Sequence, residues 1–321
     1  MHRDLKKIPP KFLDKISRIF PANVLNQVHS SFRIKKAATF RINRIKISRR
    51  DALGEFRKNN IKVREVNWYP DAFMLVSPDL NGLAKTDLYR NGKIYVQNLS
   101  SMIPALVLQP CCEDLVLDLT AAPGSKTTQI ASLMSNKGKI IALEKDEVRY
   151  QKLLANLRLQ GVNNVEAYNR DSLGVWRDYF EVFDKVLLDA PCTAEGRFTA
   201  LRMKTYLYWN QLKVKRMAKK QKGLLVTAFK CLKPGGVLVY STCTFSPEEN
   251  EFVINYLLNK FPHSLKIEKI NLGIKNSFKG LTEWNDVSFP SEIANCRRII
   301  PTDVMEGFFI CLIRKTASLA P

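Results

Sequence analysis

From residue 115 onward, short apolar runs alternate with helix-length amphipathic stretches, and most of the runs end at an acid or just before a cysteine. Leu115-Val116-Leu117-Asp118-Leu119 leads into the turn Thr120-Ala121-Ala122-Pro123-Gly124, then a helical stretch from Ser125 to about Met134. Lys139 to Leu143 stops at Glu144, and Glu147 to Gln160 has helical periodicity that halts at Gly161. Val165 to Tyr168 runs toward Asp171, and Phe183 to Leu188 runs to Asp189. A helix around Gln221 to Cys231 ends before Pro234-Gly235-Gly236; Val237 to Tyr240 and finally Gly307 to Ile313 complete the strands. Strands in regular alternation with helices predict an α/β fold around a mostly parallel, doubly wound sheet.

The first 93 residues read differently. In Thr39-Phe40-Arg41-Ile42-Asn43-Arg44-Ile45, apolar positions alternate with Arg and Asn, which predicts a half-buried strand with a charged outer face. Residues 1–93 are therefore expected to form a small, basic α+β domain, and residues 94–316 the larger one. At 321 residues and 45% hydrophobic, the chain is long enough for both.

Lys and Arg number 51 against 30 Asp and Glu, a net charge of +21. Such a surface attracts polyanions, and nucleic acid gains from it by counterion release. Two basic clusters stand out. One comprises Arg33, Lys35, Lys36, Arg41, Arg44, Lys46, Arg49 and Arg50; the other runs from Arg202 to Lys222 and contains Tyr206, Tyr208 and Trp209, candidates for stacking on bases. Seven scattered cysteines, with no Cys-x-x-Cys pair, argue for a reducing, cytoplasmic setting rather than a disulfide scaffold or zinc site. The histidines His2, His29 and His263 are too few and too scattered for a metal site. No run approaches the roughly 20 apolar residues that span a bilayer. The N-terminus is basic but lacks a secretory pattern, and Asp4 and Asp14 weigh against an organellar one. A monomer is the default expectation.

In an open α/β sheet the ligand crevice lies beyond the carboxyl ends of the strands. Glu144, Asp171, Asp189 and Cys243 each follow an expected strand, so the fold would gather them on one rim. An acid after a strand is ordinarily a helix cap; a single ligand accounts for all of them together. The turn Thr120 to Lys126 is neither a dinucleotide fingerprint nor a Walker loop, although its small residues let a ligand approach the backbone. A rim of carboxylates suits a nucleoside without phosphate and with a positive centre. Glu144 is placed for the ribose hydroxyls and Asp171 for the adenine amino group. S-adenosylmethionine has that character.

Asp189-Ala190-Pro191-Cys192 and Ser241-Thr242-Cys243 both follow strands, so two thiols can face one cleft. A cysteine is more often a small buried hydrophobe, and Cys111, Cys112, Cys231, Cys296 and Cys311 are assigned to that role or to the surface. Carbon 5 of cytosine is too poor a nucleophile to take a methyl group directly. A thiolate added at carbon 6 makes it an enamine-like one. Lys126 is a candidate for lowering the thiol pKa. These considerations do not choose between Cys192 and Cys243 as nucleophile.

At these motifs the chain resembles the RNA cytosine-5 methyltransferases of the nucleolar and Sun type, and among them the bacterial enzymes acting on 16S ribosomal RNA. The resemblance spans Phe40-Arg41-Ile42-Asn43, Val96 to Met102, Thr120 to Lys126, Leu188 to Cys192, and Val239 to Thr244 with Pro247-Glu248-Glu249-Asn250. It implies a Rossmann-like class I methyltransferase domain. It further implies that Thr120, Ala121, Ala122, Pro123, Gly124, Ser125, Lys126, Glu144, Asp171 and Asp189 line an S-adenosylmethionine site. By the same resemblance Cys243 attacks carbon 6, Cys192 assists its release, and Asp189 also contacts the target base. The family usually has Ser-Gly after the first cysteine; here Thr193-Ala194-Glu195-Gly196 follows Cys192. This chain ends soon after its last expected strand, whereas larger bacterial members continue into RNA-binding modules, so their target is not transferred to it. Ribosomal RNA is expected ahead of transfer RNA. Two other readings stay open: a DNA cytosine-5 methyltransferase with Cys192 as nucleophile, and a ribosome-assembly or RNA-binding protein without catalysis.

Overall fold

The structure is a computed structural model that describes residues 4–76 and 80–320; His2 lies outside the described residues. The chain opens with helices α1 (Pro10–Ile19) and α2 (Ala22–Ser31). Strand β1 (Thr39–Ile42), helix α3 (Arg49–Lys58), strands β2 (Val63–Glu65) and β3 (Ala72–Leu75), helices α4 (Leu80–Lys85) and α5 (Asp87–Arg90) and strand β4 (Ile94–Val96) follow. These four strands form an antiparallel sheet in the order β2-β3-β1-β4. Phe40, Phe56, Phe73 and Leu88 make its core.

The larger sheet begins after helix α6 (Leu99–Leu108), which is capped by Asn98 accepting from the Ser100 amide. Strand β5 (Leu115–Asp118), helix α7 (Ser125–Leu133), strand β6 (Lys139–Glu144), helix α8 (Glu147–Gln160) and strand β7 (Val165–Asn169) come next. They are followed by β8 (Phe183–Asp189), helix α9 (Gln211–Cys231), β9 (Leu232–Thr242) and α10 (Glu251–Lys260). The remaining strands are β10 (Leu265–Glu268), β11 (Ser277–Lys279), β12 (Glu283–Trp284), β13 (Val287–Ser288), β14 (Arg297–Ile299) and β15 (Phe308–Lys315). The strand order is β11-β14-β15-β9-β8-β5-β6-β7, with β10 also on β15. The ladders from β7 to β9 are parallel; β15 joins β9 antiparallel.

The expected α/β, mostly parallel doubly wound architecture is what the chain forms. The near-continuous apolar strands are covered on both faces, as parallel sheets require. Helix α8 starts where Asp146 accepts from the Arg149 amide and ends at Gly161 with φ 68°, matching its expected bounds. The chain winds from β5 outward to β7 and then returns to β5's other side as β8. That reversal opens a crevice at the carboxyl ends of β5 and β8.

Three expectations need correction. Arg41 does not face outward: it is fully buried. Its Nε donates to Gln97 Oε1 at 2.9 Å and its Nη2 to Thr128 Oγ1 at 2.8 Å, which fastens β1 to α7. The alternation in β1 therefore marks a strand buried on both faces, with the cation held by fixed partners. Second, residues 1–93 do not pack as one body. Phe12, Ile16, Phe20, Val28 and Phe32 of the α1–α2 region lie in the core of the larger sheet with Phe198 and Phe245. Lys15 also donates to Ser246 Oγ at 3.0 Å. Third, α9 starts ten residues earlier than the periodicity indicated, at Gln211, where Asn210 accepts from the Lys213 amide. Among the described residues no helix is long and apolar enough to cross a membrane.

Candidate active site

A cavity of about 620 Å³ occupies the crevice beyond β5, β6, β8 and β9, a size that suits a small-molecule site. Thr120, Ala122, Pro123, Ser125, Lys126, Glu144, Asp171, Asp189, Cys192 and Cys243 all line it. Ala121 and Gly124 do not. Ala121 packs with Leu153 in a buried cluster, and its amide donates to Leu143 O at 2.9 Å. Gly124, at φ 100°, turns the chain into α7, and a Cβ there would meet Leu153 at 3.0 Å. These two residues shape the loop from behind.

At one end of the cavity, Glu144 is buried at the end of β6. Its Oε1 accepts from the Asp146 amide at 3.0 Å. Its Oε2 accepts no hydrogen bond, although Arg149 Nη1 stands 3.3 Å away in an ion pair. A buried carboxylate oxygen with spare lone pairs is costly unless a donor completes it, and a ribose hydroxyl facing this wall would do so. Asp171 is exposed and paired with Lys145 at 3.0 Å. The Leu173 amide, and then Lys145, hold its carboxyl below the usual range. Behind the loop, burial pushes the Asp118 carboxyl up to about 6; it accepts from Thr127 Oγ1 at 2.7 Å.

At the other end the two cysteines meet. Cys192 Sγ and Cys243 Sγ are 3.3 Å apart. The hydrogen bond to Cys243, and then desolvation, keep the Cys192 thiol well above the ordinary thiol range. Asp189 stands beside them, its Oδ1 accepting from Ser241 Oγ at 2.8 Å and its Oδ2 from Lys126 Nζ at 2.6 Å. The Lys126 ammonium, also bonded to Ser101 Oγ at 2.8 Å, thus serves the carboxylate and hydrogen-bonds to neither thiol. The sequence expectation that Lys126 activates a thiol has this geometry against it.

Sequence reasoning missed what supports the thiols. Glu195 and Glu249 are both fully buried beneath them. Glu195 accepts from Trp209 Nε1, Thr244 Oγ1, the amides of Phe245 and Ser246, and Ser246 Oγ. Glu249 accepts from the Thr193 amide, Thr193 Oγ1 and Gln221 Nε2. Thr193 and Thr244, the residues after the two cysteines, share a hydrogen bond at 2.9 Å. Gly196 adds a further tie, its amide donating to Cys243 O at 2.9 Å. Burial, and then the nearby Glu195, push the Glu249 carboxyl up to about 7. The one available signal was that each cysteine is followed by Thr and, within six residues, by Glu.

At the mouth, Arg197 pairs with Glu306 at 3.4 Å, and burial raises the Glu306 carboxyl. Of the residues read as a phosphate-binding surface, Arg41 is removed by its burial, and Lys36 Nζ donates to Thr302 O. Tyr206 is buried and Trp209 is engaged with Glu195, so neither is free to stack; Tyr208 is exposed. Cys111 and Cys112 are exposed, and Cys231, Cys296 and Cys311 are buried. Among the described residues no group of three His, Cys, Asp or Glu side chains could hold a metal ion.

Known proteins are similar to this chain. The chain is 38% identical over 320 residues to the ribosomal RNA small subunit methyltransferase F of Vibrio parahaemolyticus, covering 97% of this chain but 64% of that protein. It is 42% identical over 246 residues to a tRNA (cytosine(49)-C(5))-methyltransferase of Pyrococcus abyssi, covering 76% of this chain and 77% of that one. The crystal structure of NSun6 from Pyrococcus horikoshii with SFG superposes with a TM-score of 0.82 at 26% identity, covering 98% of this chain and all of that one. The fold is that of class I methyltransferases. Residues 105–314 match the family model described as 16S rRNA methyltransferase RsmB/F, and the chain belongs to that family.

Proposed function

We propose that this chain transfers a methyl group from S-adenosylmethionine to carbon 5 of a cytosine in RNA, with Cys243 as the nucleophile. One observation carries the reading. Two thiols 3.3 Å apart and Asp189 line the same cavity as Glu144, one of whose carboxylate oxygens has no hydrogen bond. The names of the relatives, one acting on ribosomal RNA and one on tRNA cytosine, support the substrate class. The NSun6 structure with SFG, an S-adenosylmethionine analogue, supports the cofactor.

The chain's residues fit that cofactor. Glu144 would accept from the ribose hydroxyls, Asp171 would face the adenine, and Thr120 to Lys126 would leave room for the methionine part. When bound, S-adenosylmethionine supplies an electrophilic methyl group. The Cys243 thiolate would add to carbon 6 of the base, and the electron pair displaced toward carbon 5 would make that carbon able to take the methyl group, the pair of the broken sulfur–methyl bond staying on sulfur. Transfer of the carbon 5 proton to water in the cavity would then re-form the double bond and expel Cys243 as its thiolate. Cys192, its sulfur 3.3 Å from that of Cys243, would assist the departure of the Cys243 sulfur from carbon 6. Asp189, fixed by Lys126 and Ser241, steadies charge on the ring nitrogen of the base.

The target base must leave its stack to reach these thiols, so unpaired or flipped RNA is the substrate form. We assign ribosomal RNA ahead of tRNA, because the ribosomal relative aligns along 97% of this chain and the tRNA relative along 76%. The test uses RNA and methyl-labelled S-adenosylmethionine. Cys243→Ala should abolish transfer, and Cys192→Ala should accumulate a protein–RNA adduct that survives denaturation. An adduct that requires Cys192 instead would overturn the assignment of the nucleophile, and transfer to DNA rather than RNA would overturn the substrate.

A further inference from the structure

Between the first cysteine motif and α9 the chain presents large apolar side chains to solvent. Leu201, Met203, Leu207, Tyr208 and Leu212 are between 47% and 72% exposed. The segment that carries them is anchored. The Ala200 amide donates to Phe32 O at 2.7 Å, Tyr206 packs against Phe198, and Trp209 is held by Glu195. The side chains in solvent are thus the outward set of a fixed loop whose inward set is already packed. Such a cluster marks an interaction site more often than a lone exposed Leu does.

Its charge says what it takes. No Asp or Glu occurs between Glu195 and Glu248, while Arg202, Lys204 and Lys213 are exposed among the apolar residues. Its position says where. The segment begins at Arg197 in the cavity wall, and Lys220 of the helix that follows lines the same cavity. A cytosine that enters this cavity leaves its neighbours without a stacking partner. Apolar and aromatic surface interleaved with cations, with no acid to repel phosphate, is the chemistry that receives unstacked bases.

We propose that residues 201–212 form the platform on which the nucleotides flanking the target cytosine stack. The inference rests on the RNA reading above and deepens it. The experiment uses a variant combining Leu201→Ser, Met203→Ser and Tyr208→Ala in the full chain. All three side chains are exposed, so folding should be preserved, which circular dichroism checks. With an RNA oligonucleotide whose target cytosine is unpaired, KM for RNA should rise about ten-fold or more, at unchanged kcat and unchanged KM for S-adenosylmethionine. In the unmutated protein, 4-thiouridine placed beside the target should crosslink to a peptide from this segment.

Direct RNA binding separates the two readings. A protein that binds RNA without methylating it defeats the enzymatic reading, while the platform still predicts weaker binding by the triple variant. An unchanged Kd for RNA overturns the platform, whether or not transfer occurs. So does concentration-dependent dimerisation that the triple variant alone loses at unchanged RNA affinity, which would give the patch to a second copy of the chain.

Discussion

The two ends of the cavity are built on opposite plans. At the Glu144 end polar groups are left open: one carboxylate oxygen has no hydrogen bond and Asp171 stands in solvent beside Lys145. At the thiol end the carboxylates are closed off. Glu195 and Glu249 are buried and their oxygens are engaged by donors from the loops that carry Cys192 and Cys243. The open end keeps its hydrogen-bonding capacity for a ligand. The closed end uses it internally to hold two loops in one register, as the proposed reaction with two thiols at close range would demand. The same residue type thus binds at one end and positions at the other, according to who supplies the donors.

Removing a closed carboxylate should cost most. Glu195→Ala removes the acceptor of five donors, of which Thr244 Oγ1 keeps Thr193 as a partner, and each buried orphan among the rest costs about 1–3 kcal/mol before relaxation and water recover part of it. A net loss of about 4–5 kcal/mol, near the top of the range for a single substitution, should appear in urea unfolding, together with loss of activity. A loss under 1 kcal/mol would mean that the thiol end is not held in this way.

Glu249→Gln probes the same end through pH. The folded carboxyl lies near 7 against an ordinary 4.5, so its proton is held more tightly in the folded chain. A raised carboxyl contributes stability that is fully present below the unfolded value and is lost as pH rises through the folded one. Between pH 4.5 and 8 the unmutated protein should therefore lose up to about 3 kcal/mol relative to the Gln variant, at about 1.4 kcal/mol per pH unit of displacement. The measurement is unfolding free energy at both pH values. A constant difference between the two proteins would break the comparison on this side.

The open end should respond in binding and not in stability. Glu144→Gln keeps the shape of the wall but weakens the acceptor proposed for the ribose. S-adenosylmethionine affinity, read by calorimetry, should fall about 10- to 100-fold, or about 1.4–2.7 kcal/mol, with the melting temperature of the free protein unchanged within about 2 °C. A large drop in melting temperature at unchanged affinity would place Glu144 among the closed, structural carboxylates.

How much of this was legible follows the same division. Strand ends and the residues just past them could be read because the pattern is local: Glu144, Asp189, Cys192 and Cys243 meet in the cavity as expected. The closed network was not read, because Thr193 and Glu249 are 56 positions apart and the local Cys-Thr-to-Glu spacing does not say which side chains pair across the two loops. Arg41 failed for a related reason. A guanidinium in an alternating strand looks exposed until Gln97 and Thr128, supplied by other elements, are known to receive it. The grouping of residues 1–93 as one domain missed that Phe12, Ile16, Val28 and Phe32 pack into the larger sheet, because apolar residues in a sequence show that something is buried, not what covers it.

Ala194 tests the smallest difference between the ends. It sits at φ 58°, ψ 32°, a left-handed conformation that favours glycine. That geometry aims its amide at the sulfur of Cys192, so the strain belongs to the thiol end's positioning. A left-handed alanine costs about 1–2 kcal/mol, and glycine in its place gives back about 0.4–1 kcal/mol through the freer unfolded chain. Ala194→Gly should therefore stabilise the protein by about 0.5 kcal/mol, with kcat within two-fold of the unmutated value, because the amide keeps its place. A destabilised variant would show that the Ala194 methyl group itself packs the cavity wall. A stabilised variant with a large fall in kcat would show that the thiol end relies on the rigidity that the methyl group imposes.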